Sequence, residues 1–425
     1  MYSKLPLPLA QVRFFILRKK QTIVVLNKGV VHMTTTTNTY TRQDNPTSSY
    51  FHLPILLHPD QTAMDLLQHT QDTYRDACLD IVKFFEERNI DIAVFEKQYW
   101  EYRNKGEIHS EEDKSINQVK RISHQISYRL NQRFKLRIKY GQYPLATVMS
   151  AYRQAKNQHK EFNLERSRHL SVRLIPGRSY DIHFQADNDA DSFTCVLRIG
   201  KKVTVKFSLP AGIPLPPSSW KSKMAFLEYK HGTWMMRIAF RKPEITSLEQ
   251  VSRIVGIDRG IINIAATYTP GNAKRYSRKE YLPDCGSSSP QDKGEQAFAA
   301  NIKIAREIVS QEAAGTVFVL EDLTFKDEER PNNWPYRHLE DMLTYFAALS
   351  GQWIYTCSPH DTSITCPVCG HVKRANRLQN EHRFVCQNCG YGADTIVNDD
   401  ENAARNIYER GKANLGKEFG NTLGT

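Results

Sequence analysis

The chain has 425 residues, 40% of them hydrophobic, 10% aromatic and 24% charged, with 21 Gly and 19 Pro. That length accommodates about three domains of roughly 150 residues each, and that composition excludes collagen-like, mucin-like and wholly disordered chains. Lys and Arg number 58 against 46 Asp and Glu, a net charge of +12, which favours a polyanionic partner through counterion release and electrostatic steering.

Within residues 1–32, Pro6, Pro8, Arg13 and Arg18 to Lys20 interrupt any signal-peptide core. Runs such as Phe14 to Leu17 and Val317 to Leu320 are far shorter than the roughly 20 apolar residues of a membrane span. The expectation is a cytoplasmic protein with no membrane partner. Met33 offers an alternative start, and residues 1–50, rich in Thr, Asn and Ser from Thr34 onward, read as a variable or disordered leader.

From Pro59 to about Lys160 the apolar residues recur at helical spacing, as in Met64, Leu66, Leu67 and then Leu79, Ile81, Val82, Phe84. Between Arg168 and Pro243 the texture changes to six short runs, LSVRLI, SYDIHF, FTCVLRIG, KVTVKFSL, KMAFLEYK and TWMMRIAF, separated by turn signals such as Pro176-Gly177. Six such strands predict a small antiparallel barrel. Then RIVGIDRGIINIAATY predicts a buried hairpin, residues 295–314 a helix, TVFVLEDL a buried strand, Arg337 to Leu349 a helix and WIYTCSP a further strand, an α/β texture.

Positive charge concentrates at the junction of the helical and strand-rich segments. Fourteen cations lie between Lys120 and Arg178, opposed within that span only by Glu161 and Glu165, with Tyr128, Phe134, Tyr140, Tyr143 and Tyr152 interleaved. A solvated helix face carries both signs, so this imbalance predicts nucleic-acid contact, with Arg121, Arg129, Arg133, Arg137, Lys139, Arg153, Lys156 and Lys160 as candidates.

Four of the eight cysteines fall in two knuckles, Cys366-Pro-Val-Cys369-Gly and Cys386-Gln-Asn-Cys389-Gly, with sixteen residues between them. Four thiolates from two tight turns are the donor set of a structural, tetrahedral Zn²⁺. A redox role would need one CxxC beside a thioredoxin-like pattern, and a catalytic zinc would keep an open position. Lys373, Arg374 and Arg377 add positive charge between the knuckles and extend the candidate nucleic-acid surface.

Three acids stand at unusual places: Asp258 after the apolar IVGI, Glu321 at the end of TVFVL, and Asp400 before the helical ENAARNIYER. A carboxylate ending a buried strand is costly unless paired or bound to a cation. Two strand-end acids and a third opening a late helix form the arrangement that an RNase H-like nuclease requires to hold divalent ions for phosphodiester hydrolysis. Anchoring on NAARNI selects Asp400, with Asp394 and Asp399 as alternatives. Arg259 follows the first aspartate, where an apolar residue is expected.

These residues carry a family resemblance. GIDRGIINIA resembles the first motif of a RuvC domain, VLEDL its second and DENAARNI its third, and SPHDTSITCPVCG with FVCQNCGYGAD resembles the zinc ribbon of transposon-encoded TnpB (OrfB) proteins, an arrangement shared by miniature type V CRISPR effectors. The resemblance is specific over about residues 250–410, and over residues 55–245 it rests on order and texture. It implies a multidomain fold: an RNase H-like RuvC nuclease domain over 250–410 with an inserted zinc ribbon over 360–393, preceded by a helical recognition domain over 66–164. A wedge-like β-barrel would take 51–65 and 165–245, and residues 411–425 would form a tail. It further implies an RNA-guided, Mg²⁺-dependent DNA endonuclease of a prokaryotic mobile element, a monomer bound to guide RNA and acting on double-stranded DNA. Asp258, Glu321 and Asp400 would be its metal-binding catalytic acids, and Cys366, Cys369, Cys386 and Cys389 its zinc ligands. A type V CRISPR-like effector and a nuclease-inactive, RNA-guided DNA-binding repressor are the alternatives.

Overall fold

The computed structural model describes residues 22–27, 30–35, 49–104, 114–135, 142–157, 161–164, 170–184, 193–199, 201–230, 232–282, 290–323 and 334–419. The chain divides into two compact units, Met1–Ser48 and Ser49–Thr425. In the first, β1 (Thr22–Asn27) and β2 (Val30–Thr35) pair antiparallel from Thr22↔Thr35 to Asn27↔Val30. The stretch expected to be a disordered leader thus contains a hairpin, since β-branched Ile23, Val24, Val25, Val30 and Val31 favour extended backbone on both sides of the turn. Most of the polar run from Thr34 to Tyr50 lies outside the described residues.

The second unit opens with β3 (Tyr50–His58), whose Phe51, Leu53, Ile55 and Leu57 alternate into the core. Helices α1 (Gln61–Glu87), α2 (Ile92–Asn104), α3 (Lys114–Phe134) and α4 (Gln142–Asn157) follow. The Asp60 carboxylate accepts from the Ala63 amide at 2.8 Å and so caps α1. The helical segment therefore starts at Gln61, before the expected boundary at residue 66. Leu67, Tyr74, Cys78, Ile81 and Phe85 of α1 share a core with Ile126 and Leu130 of α3 and Leu145 and Met149 of α4.

All six runs read as strands are strands: β4 (Val172–Leu174), β5 (Tyr180–His183), β6 (Phe193–Ile199), β7 (Lys201–Ser208), β8 (Ala225–Lys230) and β9 (Thr233–Arg241). With β3 they form a seven-stranded antiparallel sheet in the order β4-β8-β9-β3-β7-β6-β5. Its two edge strands are consecutive in the chain. The turn joining them has the Ser179 amide donating to the Ile175 carbonyl at 2.8 Å and a bridge between Pro176 and Tyr180, so the two sheet edges come together there.

The remainder builds a mixed α/β layer. β10 (Arg253–Asp258), β11 (Asn263–Thr269) and β12 (Asn272–Ser277) run antiparallel, followed by the single-turn α5 (Arg278–Tyr281) and by α6 (Pro290–Ser310). Next come β13 (Thr316–Glu321), α7 (Tyr336–Leu349), β14 (Trp353–Cys357), the short β15 (Arg377–Leu378) and β16 (Arg383–Phe384), and α8 (Asp399–Phe419). The sheet order is β12-β11-β10-β13-β14, with β10, β13 and β14 parallel. β13 is buried along its whole length, as its unbroken apolar run requires, because both faces of the sheet are covered. Ile254, Val317 and Val319 face Ile407, Tyr408 and Leu415 of α8. The alternate residues Val255, Ile257, Phe318 and Leu320 join the core of α6 and α7 on the other face.

The expected tail over 411–425 is corrected in part. α8 continues to Phe419, because Leu415 is buried against the sheet and Gly411 lets the helix lie directly on Val319. Among the described residues no helix is long and apolar enough to cross a membrane.

One packing feature predicts a pH dependence. On α7, the largely enclosed His338 ring stacks edge-on against Phe298 at 4.4 Å and meets Asn301 at 3.4 Å, and burial pulls its pKa down to about 4. An unfolded chain protonates its histidines near pH 6.5 while this ring stays neutral, so stability is full above that pH and falls as pH drops toward 4. The expected loss between pH 7 and pH 5 is about 2 kcal/mol, since at pH 5 the unfolded ring is charged and the folded one is still neutral. Urea unfolding at pH 7 and pH 5 should show the difference, and His338→Gln should flatten it.

Candidate active site and metal centre

Strand parity aims two of the predicted acids at one helix. Counting by twos from Ile254, Asp258 lies on the α8 face of β10, and by the same count from Val317, Glu321 lies on the α8 face of β13. The parallel register pairs Ile257 with Leu320, so Asp258 and Glu321 end adjacent strands side by side. Asp400 joins them from the first turn of α8, where the Asn398 side chain accepts from the amides of Asp400 and Glu401 at 3.1 and 3.2 Å. All three acids are buried.

Glycines allow this approach. A Cβ on Gly256 would lie 2.2 Å from the Ala404 carbonyl oxygen and 2.6 Å from the Tyr408 nitrogen, so only a bare backbone lets α8 rest on β10. Gly260, beyond Asp258, is similarly close to the Asn263 carbonyl, at 2.9 Å for an added Cβ, and to Asp400 at 3.5 Å. Gly256→Ala should therefore cost about 3 kcal/mol in denaturant unfolding, the upper range for overpacking, because backbone atoms on both sides block relaxation.

The acids are embedded in a polar network that the sequence reading did not identify. Asn263 Nδ2 donates to Asp400 Oδ2 at 2.8 Å, Arg377 donates to Asp399 at 2.6 Å and to Asp400 at 3.2 Å, and the Thr362 hydroxyl donates to Glu321. Arg259, on the opposite face parity, donates to the Glu321 backbone carbonyl and pairs with Glu340 of α7 at 3.2 Å. The Tyr336 hydroxyl is pushed up to about 12 by burial and by the nearby Asp258 charge, which places the start of α7 beside the acids. None of these neighbours has a periodic signal, since they come from separate parts of the chain: Asn263 from the start of β11, Thr362 from the loop after β14, Arg377 from β15, and Tyr336 and Glu340 from α7. Of the alternatives to Asp400, Asp394 is exposed, and Asp399 is buried with Arg377.

Burial, reinforced by the Asp399 charge, raises the Asp400 carboxyl above the ordinary aspartate range against the opposing Asn263 and Arg377. A buried set of oxygen donors with crowded negative charge suits a hard divalent cation, which would relieve both effects. The oxygens of the three carboxylates do not all lie within 4.8 Å of one another, and Asn263, Arg377 and Thr362 hold oxygens of Asp400 and Glu321.

Among the described residues, Cys366, Cys369, Cys386 and Cys389 are the one group of three or more metal-binding side chains whose donor atoms all lie within 4.8 Å of one another. The two knuckles are near copies. Gly370 and Gly390 adopt φ of 72° and 71°, and their amides donate to the carbonyls of Cys366 and Cys386 at 2.9 and 3.0 Å. Cys366–Cys389 and Cys369–Cys386 sulfurs are 3.6 Å apart, too far for a disulfide. A tetrahedron of Zn–S bonds of about 2.3 Å separates its sulfurs by about 3.8 Å, so the set fits zinc. Backbone donation around His371 pulls the Cys369 thiol down to about 6, whereas burial pushes Cys366 up to about 12, so the fit to zinc rests on the geometry of the four sulfurs.

The basic candidates divide. Arg129 bridges Asp80 and Glu87 at 2.7 and 2.5 Å, Arg133 also binds Asp80, and Arg153 holds Glu96 at 2.6 Å beneath Trp100. Their counter-charges sit on α1 and α2, outside the span in which the charge imbalance was counted, so these three cations brace the helices. Arg121 and Lys156 are exposed, whereas Arg137, Lys139 and Lys160 lie outside the described residues. Lys373 and Arg374 are exposed, and Arg374 lines an open groove of about 720 Å³ with Asp361, Ser363 and Gln379. Arg377 lines the same groove, with its guanidinium turned to Asp399 and Asp400.

Residues 336–407, from α7 through the cysteine knuckles into α8, match the family described as Cas12f1-like, TNB domain. A CRISPR-associated endodeoxyribonuclease Cas12f1 from Sulfoacidibacillus thermotolerans is 27% identical over 214 residues, 41% of this chain and 49% of that protein. Another Cas12f1, from Syntrophomonas palmitatica, is 36% identical over 64 residues, 15% of this chain and 13% of its own length. The match thus spans about half of the first relative and less of the second. Among solved structures, a Cas12f1–sgRNA–target DNA complex is similar over 82% of this chain and 83% of that one, with 14% identity and a TM-score of 0.41. The sequence matches support kinship with the miniature type V and TnpB-related nucleases.

Proposed function

We propose that the chain is an RNA-guided, metal-dependent DNA endonuclease of the TnpB and miniature type V kind. The observation that carries the reading is the convergence of buried Asp258, Glu321 and Asp400 at one end of the β12-β11-β10-β13-β14 sheet, from two adjacent strand ends and a helix N-terminus. That convergence supports a RuvC-like nuclease domain, with the four-cysteine module between β14 and α8 as its zinc ribbon.

Asp258, Glu321 and Asp400 would hold divalent ions, which would supply Lewis-acid activation of water and charge stabilisation at the scissile phosphate. The chain's own groups do the positioning. Asn263 orients the Asp400 carboxylate, Thr362 orients Glu321, and Arg377 holds Asp399 and Asp400 together from the ribbon side. Cys366, Cys369, Cys386 and Cys389 would hold a structural zinc, and the segment they fold keeps Arg377 in place. Exposed Arg121, Lys156, Lys373 and Arg374 contribute non-specific attraction to the nucleic-acid backbone.

Within this class the named relatives are CRISPR-associated, which favours a type V effector over a transposon-encoded TnpB. The retained acids favour cleavage over a binding-only repressor. Expressing the protein with its native flanking DNA and sequencing the RNA that purifies with it tests the reading. A discrete bound RNA that programs cutting of a matched duplex is expected, and its constant part separates repeat-derived from transposon-end guides. A folded, zinc-loaded protein with no enriched RNA would overturn the guided class.

A further inference from the structure

The side chain of Arg259 is 1% exposed, and it sits where the ladder between β10 and β13 ends. The last paired residues are Ile257 and Leu320, and the two strand-end acids lie one residue beyond them. There Arg259 donates to the backbone carbonyl of Glu321, a cross-strand hydrogen bond that takes over from the ladder. Its other arm binds Glu340 Oε2 at 3.2 Å, and the second oxygen of Glu340 takes Lys242 Nζ at 3.2 Å, one residue after β9. Glu340 and Lys242 are themselves largely buried.

A buried triad of this kind gives little net stability, because desolvation of its charges offsets their attraction and an apolar set of the same volume can do as well. Its geometry, by contrast, is specific. Arg259 faces α7 while Asp258 and Glu321 face α8, so it ties the strand ends from behind without occupying the metal side. A planar fork with several fixed donors can hold a carbonyl and a carboxylate at once, and an ammonium on a flexible stem is a poor substitute.

We infer that Arg259 and Glu340 form a positioning clamp that fixes the spacing of Asp258 and Glu321 for divalent-ion binding, with Lys242 anchoring the clamp to the seven-stranded sheet. The inference rests on the nuclease reading for the identity of the cation site. The clamp touches neither metal nor substrate and acts through the backbone of the two acids.

The test uses the full-length protein with its bound RNA, and Mn²⁺ as the probe, followed by electron paramagnetic resonance and by the metal dependence of DNA cutting. Glu340→Gln keeps the volume and removes the charge, while Arg259→Lys keeps the charge opposite Glu340 and removes the fork. Each should weaken Mn²⁺ binding by ~10- to 100-fold, the usual effect of losing a group that orients a ligand, and leave the rate at saturating metal within a few fold. Zinc content and the unfolding midpoint without Mn²⁺ confirm that a variant is folded, and Arg259→Lys reads the clamp if Glu340→Gln fails to fold. A folded variant with the parent's Mn²⁺ midpoint overturns the clamp. Mn²⁺ binding that is lost in Asp258→Ala and weakened in the clamp variants, in a parent that cuts no DNA, overturns the nuclease reading and upholds the clamp. A parent that binds no Mn²⁺ at these acids overturns both.

Discussion

Replacing Asp258 or Glu321 by Ala should lower cutting of guide-matched DNA by at least ~1,000-fold, equivalent to about 4 kcal/mol of transition-state stabilisation. The two acids end adjacent strands on the face that meets α8, and Asp400 completes the set from the helix N-terminus. A truncated side chain leaves no oxygen donor at its position, and the cations nearest the site, Arg259 and Arg377, cannot replace it as ligands. Binding of RNA and duplex should change by less than twofold, since the acids are buried while Arg121, Lys156, Lys373 and Arg374 are exposed. Single-turnover cleavage beside a gel-shift titration separates the two. Ordinary cutting by either variant would remove these residues from the active site. Asp399→Asn makes an informative companion. It weakens the pair with Arg377 and removes the charge that crowds Asp400, while keeping an oxygen for the Asp400 amide at 3.1 Å, so it should slow cutting more mildly.

The second large effect is expected at the cysteines. Cys386→Ser should release zinc and unfold the segment between β14 and α8, because metal binding to such a site is worth on the order of 10 kcal/mol and there is little else to hold these residues together. The apolar core of that segment is small: Cys366, Phe384 and Cys386, with Tyr391 and Val397 packed against them. The consequence reaches the acids through Arg377, which starts β15 within the segment and ends on Asp399 and Asp400. Cutting should therefore fall together with zinc stoichiometry, while α6, α7 and the central strands keep their fold. Elemental analysis and limited proteolysis check this. Full zinc content in a normally stable Cys386→Ser protein would contradict a structural site.

Much of this was readable along the chain. The knuckles are local objects, each a tight turn with a glycine at positive φ, so spacing alone identifies them. The strand-end acids are nearly as legible, because a charge that terminates an unbroken apolar run marks the end of a buried strand wherever the fold puts it. The six strands between β4 and β9 follow from alternation, which is a property of neighbouring residues.

What the tertiary structure alone decided is which charges meet. The basic cluster looked uncompensated because Asp80, Glu87 and Glu96 lie on earlier helices, and folding brings them onto Arg129, Arg133 and Arg153. Arg377 looked like one more cation between the knuckles and instead secures the third acid. Arg259 looked like a misplaced charge, until strand parity turned it away from the acids and onto Glu340. Propensity and periodicity act over a few residues, so sequence determines the elements and the chemistry each one carries. Electrostatic partnership depends on distance in space, and for these residues that distance is set by packing between positions 22 to 81 apart in the chain.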